Sequence, residues 1–434
     1  MKIAFIRPGM FGKKSRDAMM PLVFAIIKPL TKAPIEFYDE KIEALPENLD
    51  ANVVALTVDT FSAKRAYFLA EKYKRENKIV IMGGFHPTMV PDECLQYSDA
   101  VVVGEAEDTW PMIVDDIKNN CLKKKYISQN NSDLSKVKYD YMVFNGKYYN
   151  NIALVQFGRG CRYCCDFCSI NAFYKGNVRT RNVENVASDI KKIKEKYIFF
   201  VDDNIFADRE KAVKLFMAMK KLRKKWACQI SMDIAENAEI LEIMKQSGCM
   251  MVLIGFESLN KENLKEMNKK ANMKLDYEKA LKNIYGAGLM VYGTFVIGYG
   301  GDTTNTAQEL VDFAVKNKFV IANFNPLMAM PGTALYERLK WENKLVMDKW
   351  WLENNFRYGD SMIIPEKMTG LELKESCRDA RYSFYSLGNI FKRMMKRSNV
   401  ENMSVYLKTN LISRFEILFK QGRILGGRDE NYAD

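Results

Sequence analysis

Three cysteines, Cys161, Cys165 and Cys168, stand in a C-x3-C-x2-C run that reads Gly160-Cys161-Arg162-Tyr163-Cys164-Cys165-Asp166-Phe167-Cys168. Three thiolates so closely spaced suit one face of a cuboidal iron–sulfur cluster, whose fourth iron then lacks a protein ligand. An iron with an open position can bind and reduce a substrate, whereas a four-cysteine cluster chiefly passes electrons. Structural zinc is the competing reading, but zinc sites want four ligands, commonly from two separated pairs. Cys164 adjoins Cys165 and points elsewhere, no further cysteine pair lies outside this run, and the single histidine, His86, is distant. The cluster is therefore the preferred reading.

Something must hold that loop. An apolar run, Ile152 to Phe157, leads into it, and Gly158 and Gly160 let the backbone bend closely around a bulky group. Further strand-like runs follow at Tyr197–Val201, Trp226–Met232, Cys249–Gly255, Met290–Ile297 and Val320–Asn325. Helical spacing separates them: Val183, Val186, Ile190 and Ile193, then Ala212, Leu215, Phe216, Met219 and Leu222, then Ala280, Leu281 and Ile284. Parallel barrels gather their chemistry where strands run out into loops. Polar residues stand at several such ends: Asp202-Asp203-Asn204 after the second strand, Gln229, Ser231 and Asp233 on one face of the third, Glu257-Ser258 after the fourth. An N-cap for the helix near Asp208 is the plainer use of the first group, and an internal hydrogen-bonded network that of the second.

The first 120 residues alternate in the same way. Strand-like runs fall at Ile3–Ile6, Ile35–Tyr38, Val53–Val58, Ile79–Met82 and Ala100–Val103, with Ala66, Leu69, Ala70 and Tyr73 at helical spacing between two of them. This pattern predicts a parallel sheet with a ligand over the carboxyl ends of its strands. The loops there carry Arg7-Pro8-Gly9, Thr57-Val58-Asp59-Thr60, Gly83-Gly84-Phe85-His86-Pro87-Thr88 and Gly104-Glu105.

The cysteine spacing, with the aromatic Phe167 before the last cysteine, resembles the radical S-adenosylmethionine (SAM) superfamily. The resemblance implies a [4Fe–4S] cluster on Cys161, Cys165 and Cys168, with the amino and carboxylate groups of SAM on the open iron. It also implies reductive cleavage to a 5′-deoxyadenosyl radical and a partial (β/α)6 barrel. It assigns Phe167, Asp202, Asp203, Asn204, Gln229, Ser231, Asp233, Glu257 and Ser258 to SAM, with the amino group near Asp202 to Asn204 and the ribose near Glu257. It further implies an adenine-binding strand around Gly293, Val296 and Ile297, and a stretch near SAM at Phe324, Asn325, Pro326 and Leu327.

Gly-Gly-Phe-His-Pro-Thr and Val-Val-Gly-Glu look like the cobalamin-binding domain that precedes many radical SAM domains. The implied contacts are Arg7, Pro8, Thr57, Asp59, Gly83, Gly84, His86, Pro87, Thr88, Gly104 and Glu105. No D-x-H-x-x-G follows the first strand, so that motif's axial histidine is absent, and His86 has the plainer alternative of a packed strand-end residue. The resemblance thus implies an α/β protein in four parts. These are a Rossmann-like B12-binding-type domain (1–125), a linker (126–150), the barrel (151–345) and a mostly helical C-terminal domain (346–434). Its activity is radical SAM chemistry, with cobalamin-dependent methylation of an unactivated carbon in a small molecule or lipid. A flavodoxin- or ferredoxin-type protein supplies the electron. The rival within the family is a cobalamin-independent reaction (rearrangement, epimerisation or aminocarboxypropyl transfer) behind a vestigial first domain. The rival outside it is a non-enzymatic iron–sulfur or zinc protein that binds nucleic acid.

Composition narrows these. The chain has 434 residues, 48% of them hydrophobic, enough for two domains and an appendage. Its early apolar runs predict neither a signal peptide nor a membrane span, and nine cysteines without a secretory signal point to a reducing cytoplasm. The +12 charge comes from scattered lysines with no nucleic-acid motif beside them, and Lys123-Lys124-Lys125 reads as solvated linker. Past residue 345, Trp350, Trp351, Tyr358 and Arg381 to Tyr385 predict an aromatic, helical cap over the barrel mouth. From Phe391 to Arg423 eight basic and two acidic residues interleave with apolar ones. Packing on the parent domain is favoured there over contact with an anionic membrane or a lipid. Cys228 and Cys249 read as core, and Cys377 as core or a radical quencher.

Overall fold

The computed structural model describes residues 1–10, 18–129, 132–273 and 276–420. Asn130 and Asn131 of the expected linker and residues 421–423 of the basic tail lie outside the described residues.

Short runs rich in Ile, Val and Ala, buried on both faces, favour parallel strands covered by helices. Six such strands form the first sheet: β1 (Ile3–Arg7), β2 (Ile35–Asp39), β3 (Val53–Thr57), β4 (Ile79–Gly83), β5 (Ala100–Val103) and β6 (Lys125–Ile127). Their order is β2-β1-β3-β4-β5-β6, all parallel. The helix Ala63–Arg75 lays Ala66, Tyr67, Leu69, Ala70 and Tyr73 on one face, beside Val54 and Leu56. Helices Leu22–Leu30 and Ala106–Lys118 cover the other with Phe24 and Trp110, against Phe5 and Ala55. β6 corrects the linker reading of the lysine run. Only Tyr126 of its three residues is buried, too short an alternation to recognise.

The second sheet contains β7 (Ile152–Val155) and, after a short antiparallel pair β8 (Gly158–Arg159) and β9 (Arg179–Thr180), strands β10 (Tyr197–Phe200), β11 (Lys225–Ile230), β12 (Cys249–Glu257), β13 (Met290–Ile297) and β14 (Ile321–Pro326). They run in sequential order and all in parallel, a curled half-barrel with helices on its outside. Side chains alternate along β13 and β14. Gly293, Phe295, Ile297 and Phe324 turn into the helix layer, while Tyr292, Thr294, Val296, Asn323 and Asn325 stay half-buried on the open face.

The tail divides, which corrects the expectation of a single cap over the mouth. Trp350 and Trp351 do sit near the carboxyl ends, where Trp350 Nε1 donates to Ala329 O (3.0 Å) and the ring meets Phe61 of the first domain. Helices Leu387–Met394, Arg397–Glu401 and Met403–Lys420 instead close the opposite end. There Ile390 and Tyr406 cluster with Met250, Met290 and Val320, at or just before the starts of β12, β13 and β14.

Candidate functional site

The cysteine loop is built by carboxylates. Asp202, at the end of β10, accepts the N–H groups of Phe157 (3.0 Å) and Gly158, and Asp203 accepts that of Gly160 (2.9 Å). Gly160 is obligatory: φ is +83°, and a Cβ there would lie 2.1 Å from Asn177 O. Asp166 receives Tyr299 Oη (2.7 Å) and Arg338 (2.9 Å), Asp233 receives Arg162 (2.8 Å), and Asn268 donates to Cys164 O (2.8 Å). The loop is therefore tied to the segment after β10, to the Met232–Glu236 turn, and to Asn268, Tyr299 and Arg338.

So pinned, Cys161, Cys165 and Cys168 line one cavity of about 160 Å³ with Phe167, Asp203, Asn204, Gln229, Ser231 and Glu257. Burial pushes the Cys165 thiol up to about 12 and raises Cys161 and Cys168 too, so binding iron must displace protons. Burial also raises Asp203 to about 6, and Asp202 to about 7 although two amides favour its anion. Asn204 donates to Ser231 Oγ (3.2 Å). Glu257 sits at φ +62°, past an irregularity in β12, and its Oε1 lies 2.8 Å from Lys269 Nζ. Burial alone would lower the Lys269 pKa, but the Glu257 carboxylate outweighs it and raises it. Lys269 and Asn272 also line the cavity. No sequence signal marked them, because they lie beyond the strand ends that frame a barrel reading. On the open face of β14, Asn325 Oδ1 is buried without a hydrogen-bond partner.

Other predicted SAM contacts lie elsewhere. Asp202 is spent on the β7 turn, and Asp233 braces the cysteine loop from the Met232–Glu236 turn. Ser258 Oγ caps Asn260. Gly293 makes room for the Phe319 ring, 2.6 Å from where its Cβ would be. Ile297, Phe324, Pro326 and Leu327 are packed in the core, leaving Val296 and Asn325 on the open face. Tyr292, Thr294 and Asn323 share that face and were missed, because one-residue alternation decides which side of a strand counts. Cys164 is exposed and absent from the cavity, while Cys228, Cys249 and Cys377 are buried.

Three thiols facing a shared void, with polar groups opposite, fit a cluster with a ligand at its free corner. Among the described residues no trio of His, Cys, Asp or Glu converges tightly enough for a single ion. A larger cleft, about 760 Å³, runs along residues 135–151 and the starts of β7 and β10 but holds no cysteine. Chemistry rather than size marks the site.

The carboxyl-end loops of the first sheet face this barrel. Arg159, two residues before Cys161, is buried and binds Glu105 (2.6 Å) and Glu107, while Arg179 binds Glu105 (2.8 Å). Asp59 caps the Thr60–Ser62 turn, Thr88 Oγ1 links Gly84 O to Gly104 N–H, and Arg7 pairs with Asp39 (3.1 Å). Pro87 is buried, and Gly84, at φ +112°, would press a Cβ to 2.8 Å from Val58 O. His86 is fully buried, 2.8 Å from Tyr67 Oη and edge-on to Trp351. The chain's sole imidazole is thus walled in, which removes it from the surface a corrinoid would touch. The edge fits a cofactor by its placement over the barrel and offers no histidine to cobalt.

A curled parallel half-barrel with a three-cysteine loop at its carboxyl end, joined to a doubly wound first domain, defines the class of this protein. The family described as the Radical SAM superfamily matches residues 155–314, and the B12 binding domain family matches residues 27–114. Bacteriochlorophyllide d C-12(1)-methyltransferase of Chlorobaculum tepidum is 29% identical over 390 residues, 86% of this chain and 84% of that one. Hopanoid C-2 methylase of Rhodopseudomonas palustris is 25% identical, over 69% of this chain and 62% of its own length. Among solved structures, the radical SAM methyltransferase TsrM of Kitasatospora setae superimposes with a TM-score of 0.65 at 13% identity, over 79% of this chain and 76% of its own. The cobalamin-dependent enzyme OxsB superimposes at 0.62 and 13%, over 96% and 72%. Residues 155–314 thus match a radical SAM domain and residues 27–114 a B12-binding domain, the pairing expected of the cobalamin-type subclass. Its cofactors are a [4Fe–4S] cluster, SAM and cobalamin.

Proposed function

We propose that this enzyme methylates an unactivated carbon of a small molecule or lipid. The observation that carries the reading is one cavity shared by three cysteine thiols, Asp203, Asn204, Ser231 and Glu257, beside the docked edge of a B12-type domain. When bound, the cluster, SAM and cobalamin supply the one-electron and methyl-transfer chemistry.

The protein's own share is placement. Cys161, Cys165 and Cys168 hold the cluster, and Asp203 and Asn204 accept from a cationic amine at its open corner. Gln229 and Ser231 flank that amine, and Glu257, steadied by Lys269, accepts from ribose hydroxyls. Asn325 and Val296 bound the far side. Gly83, Gly84 and Gly104 let the first domain's backbone approach a corrinoid closely. Trp350, Tyr358 and Phe61 pack together at the domain junction and exclude water from the mouth. A flavodoxin- or ferredoxin-type donor in a reducing cytoplasm completes the reading, with no role for nucleic acid.

Anoxically reconstituted protein, reduced with dithionite and given SAM, should form 5′-deoxyadenosine and retain a corrinoid visible by its optical spectrum. Failure to form the nucleoside removes the radical reading. Failure to take up any corrinoid removes methylation alone.

A further inference from the structure

The helix Met403–Lys420 leaves an apolar row uncovered. Its inner side buries Tyr406 and Ile417 with the polar Asn410, Ser413 and Glu416, Asn410 Nδ2 donating to Val320 O (3.2 Å) and its Oδ1 accepting from Arg393 (2.8 Å). Leu407, Leu411 and Leu418 point outward with Ile412 beside them, Leu411 half-exposed at 50%. The neighbouring helix Leu387–Met394 does the same. Ile390 and Arg393 face inward, while Leu387, Phe391 (64% exposed) and Met395 form an outward row at four-residue spacing. Packing on the parent domain, favoured from sequence, accounts for one side of each helix and leaves the apolar side uncovered. Arg393 bonds Asn410 and the carbonyls of Phe319 and Val320, so both helices turn their inner sides to the same strand ends. Their outer rows therefore face away from the barrel together.

Charge selects the occupant. Lys392 and Lys408 stand exposed beside these rows, with Lys396 over the Tyr285 ring and Arg414 donating to Tyr385 O (3.1 Å), while the acidic residues of the segment are Glu401, paired with Arg397 (2.7 Å), and the buried Glu416. A second copy docking by this face would oppose like charges. An anionic lipid surface would meet complementary ones and take up the apolar rows. Leu407 to Leu418 spans roughly 16 Å at the helical rise, too short to cross a bilayer and suited to lying in its plane. Among the described residues no helix is long and apolar enough to cross a membrane.

We infer that helices Leu387–Met394 and Met403–Lys420 form a peripheral docking face for anionic membranes, at the end of the barrel opposite the cysteine cavity. The face holds the enzyme against lipid with its mouth turned away. It does not depend on the radical chemistry.

The test is co-sedimentation of the full chain with phosphatidylcholine vesicles, with and without phosphatidylglycerol. The protein should pellet with the anionic vesicles and stay in the supernatant with neutral ones. The triple variant F391S/L407S/L411S, changed only at outward positions, should keep its melting temperature and lose at least about tenfold in vesicle partition. Charge reversal, K392E/K396E/K408E, should lose binding without altering the fold. Absence of pelleting, or equal pelleting of parent and triple variant, overturns the inference. So does a concentration-dependent dimer in light scattering that the triple variant abolishes, because a second copy would then own the face.

Discussion

Single residues do unequal work in the cysteine loop. Cys165→Ser removes one of three facing thiols, and the purified protein should lose most of its iron by elemental analysis and its visible cluster absorbance. Gly160→Ala forces a side chain into a left-handed backbone against Asn177 O. It should cost about 2–4 kcal/mol, read as a lowered melting temperature of the apoprotein. Lys269→Met leaves Glu257 without its cation, and SAM affinity measured by calorimetry should fall about tenfold. The triad was legible because three thiols at short spacing admit few uses. Lys269 was not, because a lysine inside a lysine-rich stretch carries no mark until a strand irregularity brings Glu257 beside it.

At the scale of elements, strand existence was plain and strand facing was not. The runs around β10 to β14 stand out by their apolar content, yet Gly293 and Phe324 turn outward and Thr294 and Asn323 inward, a choice that period-two alternation makes and short apolar runs conceal. β6 is the exception in existence itself, since only Tyr126 of its three residues is buried. The short helix Pro91–Tyr97 carries a testable pH response. Burial would raise the Glu93 carboxyl, but the neighbouring His86, Lys349, Tyr67 and Trp351 more than offset this and hold it near 2. A carboxylate with a depressed folded pKa stabilises above its unfolded value near 4.5, and that contribution fades as pH falls from there towards 2. The contribution is on the order of 3 kcal/mol. Glu93→Gln should therefore lower the melting temperature at pH 7, and the difference from the parent should shrink through that acid window.

Across the whole molecule, the two sheets are bound by groups that sequence could not pair. Arg159, Arg179, Glu105 and Glu107 lie in separate motifs, and only the folded chain brings them together. Arg159→Met strands Glu107 in the junction, leaves Glu105 to Arg179 alone, and should destabilise by about 3–5 kcal/mol. Limited proteolysis should then cut between residues 127 and 152 sooner than in the parent. The order of the parts along the chain was readable; their docking rests on side chains more than fifty residues apart.

The same buried clasp separates two kinds of attachment by their answer to electrolyte. Ions in solution cannot reach Arg159, so the halves should stay locked as the buffer is made more saline. Lys392 and Lys408 on the outer helices sit in water, and their hold on lipid should slacken over the same titration. One protein would thus let go of its surroundings long before it let go of itself.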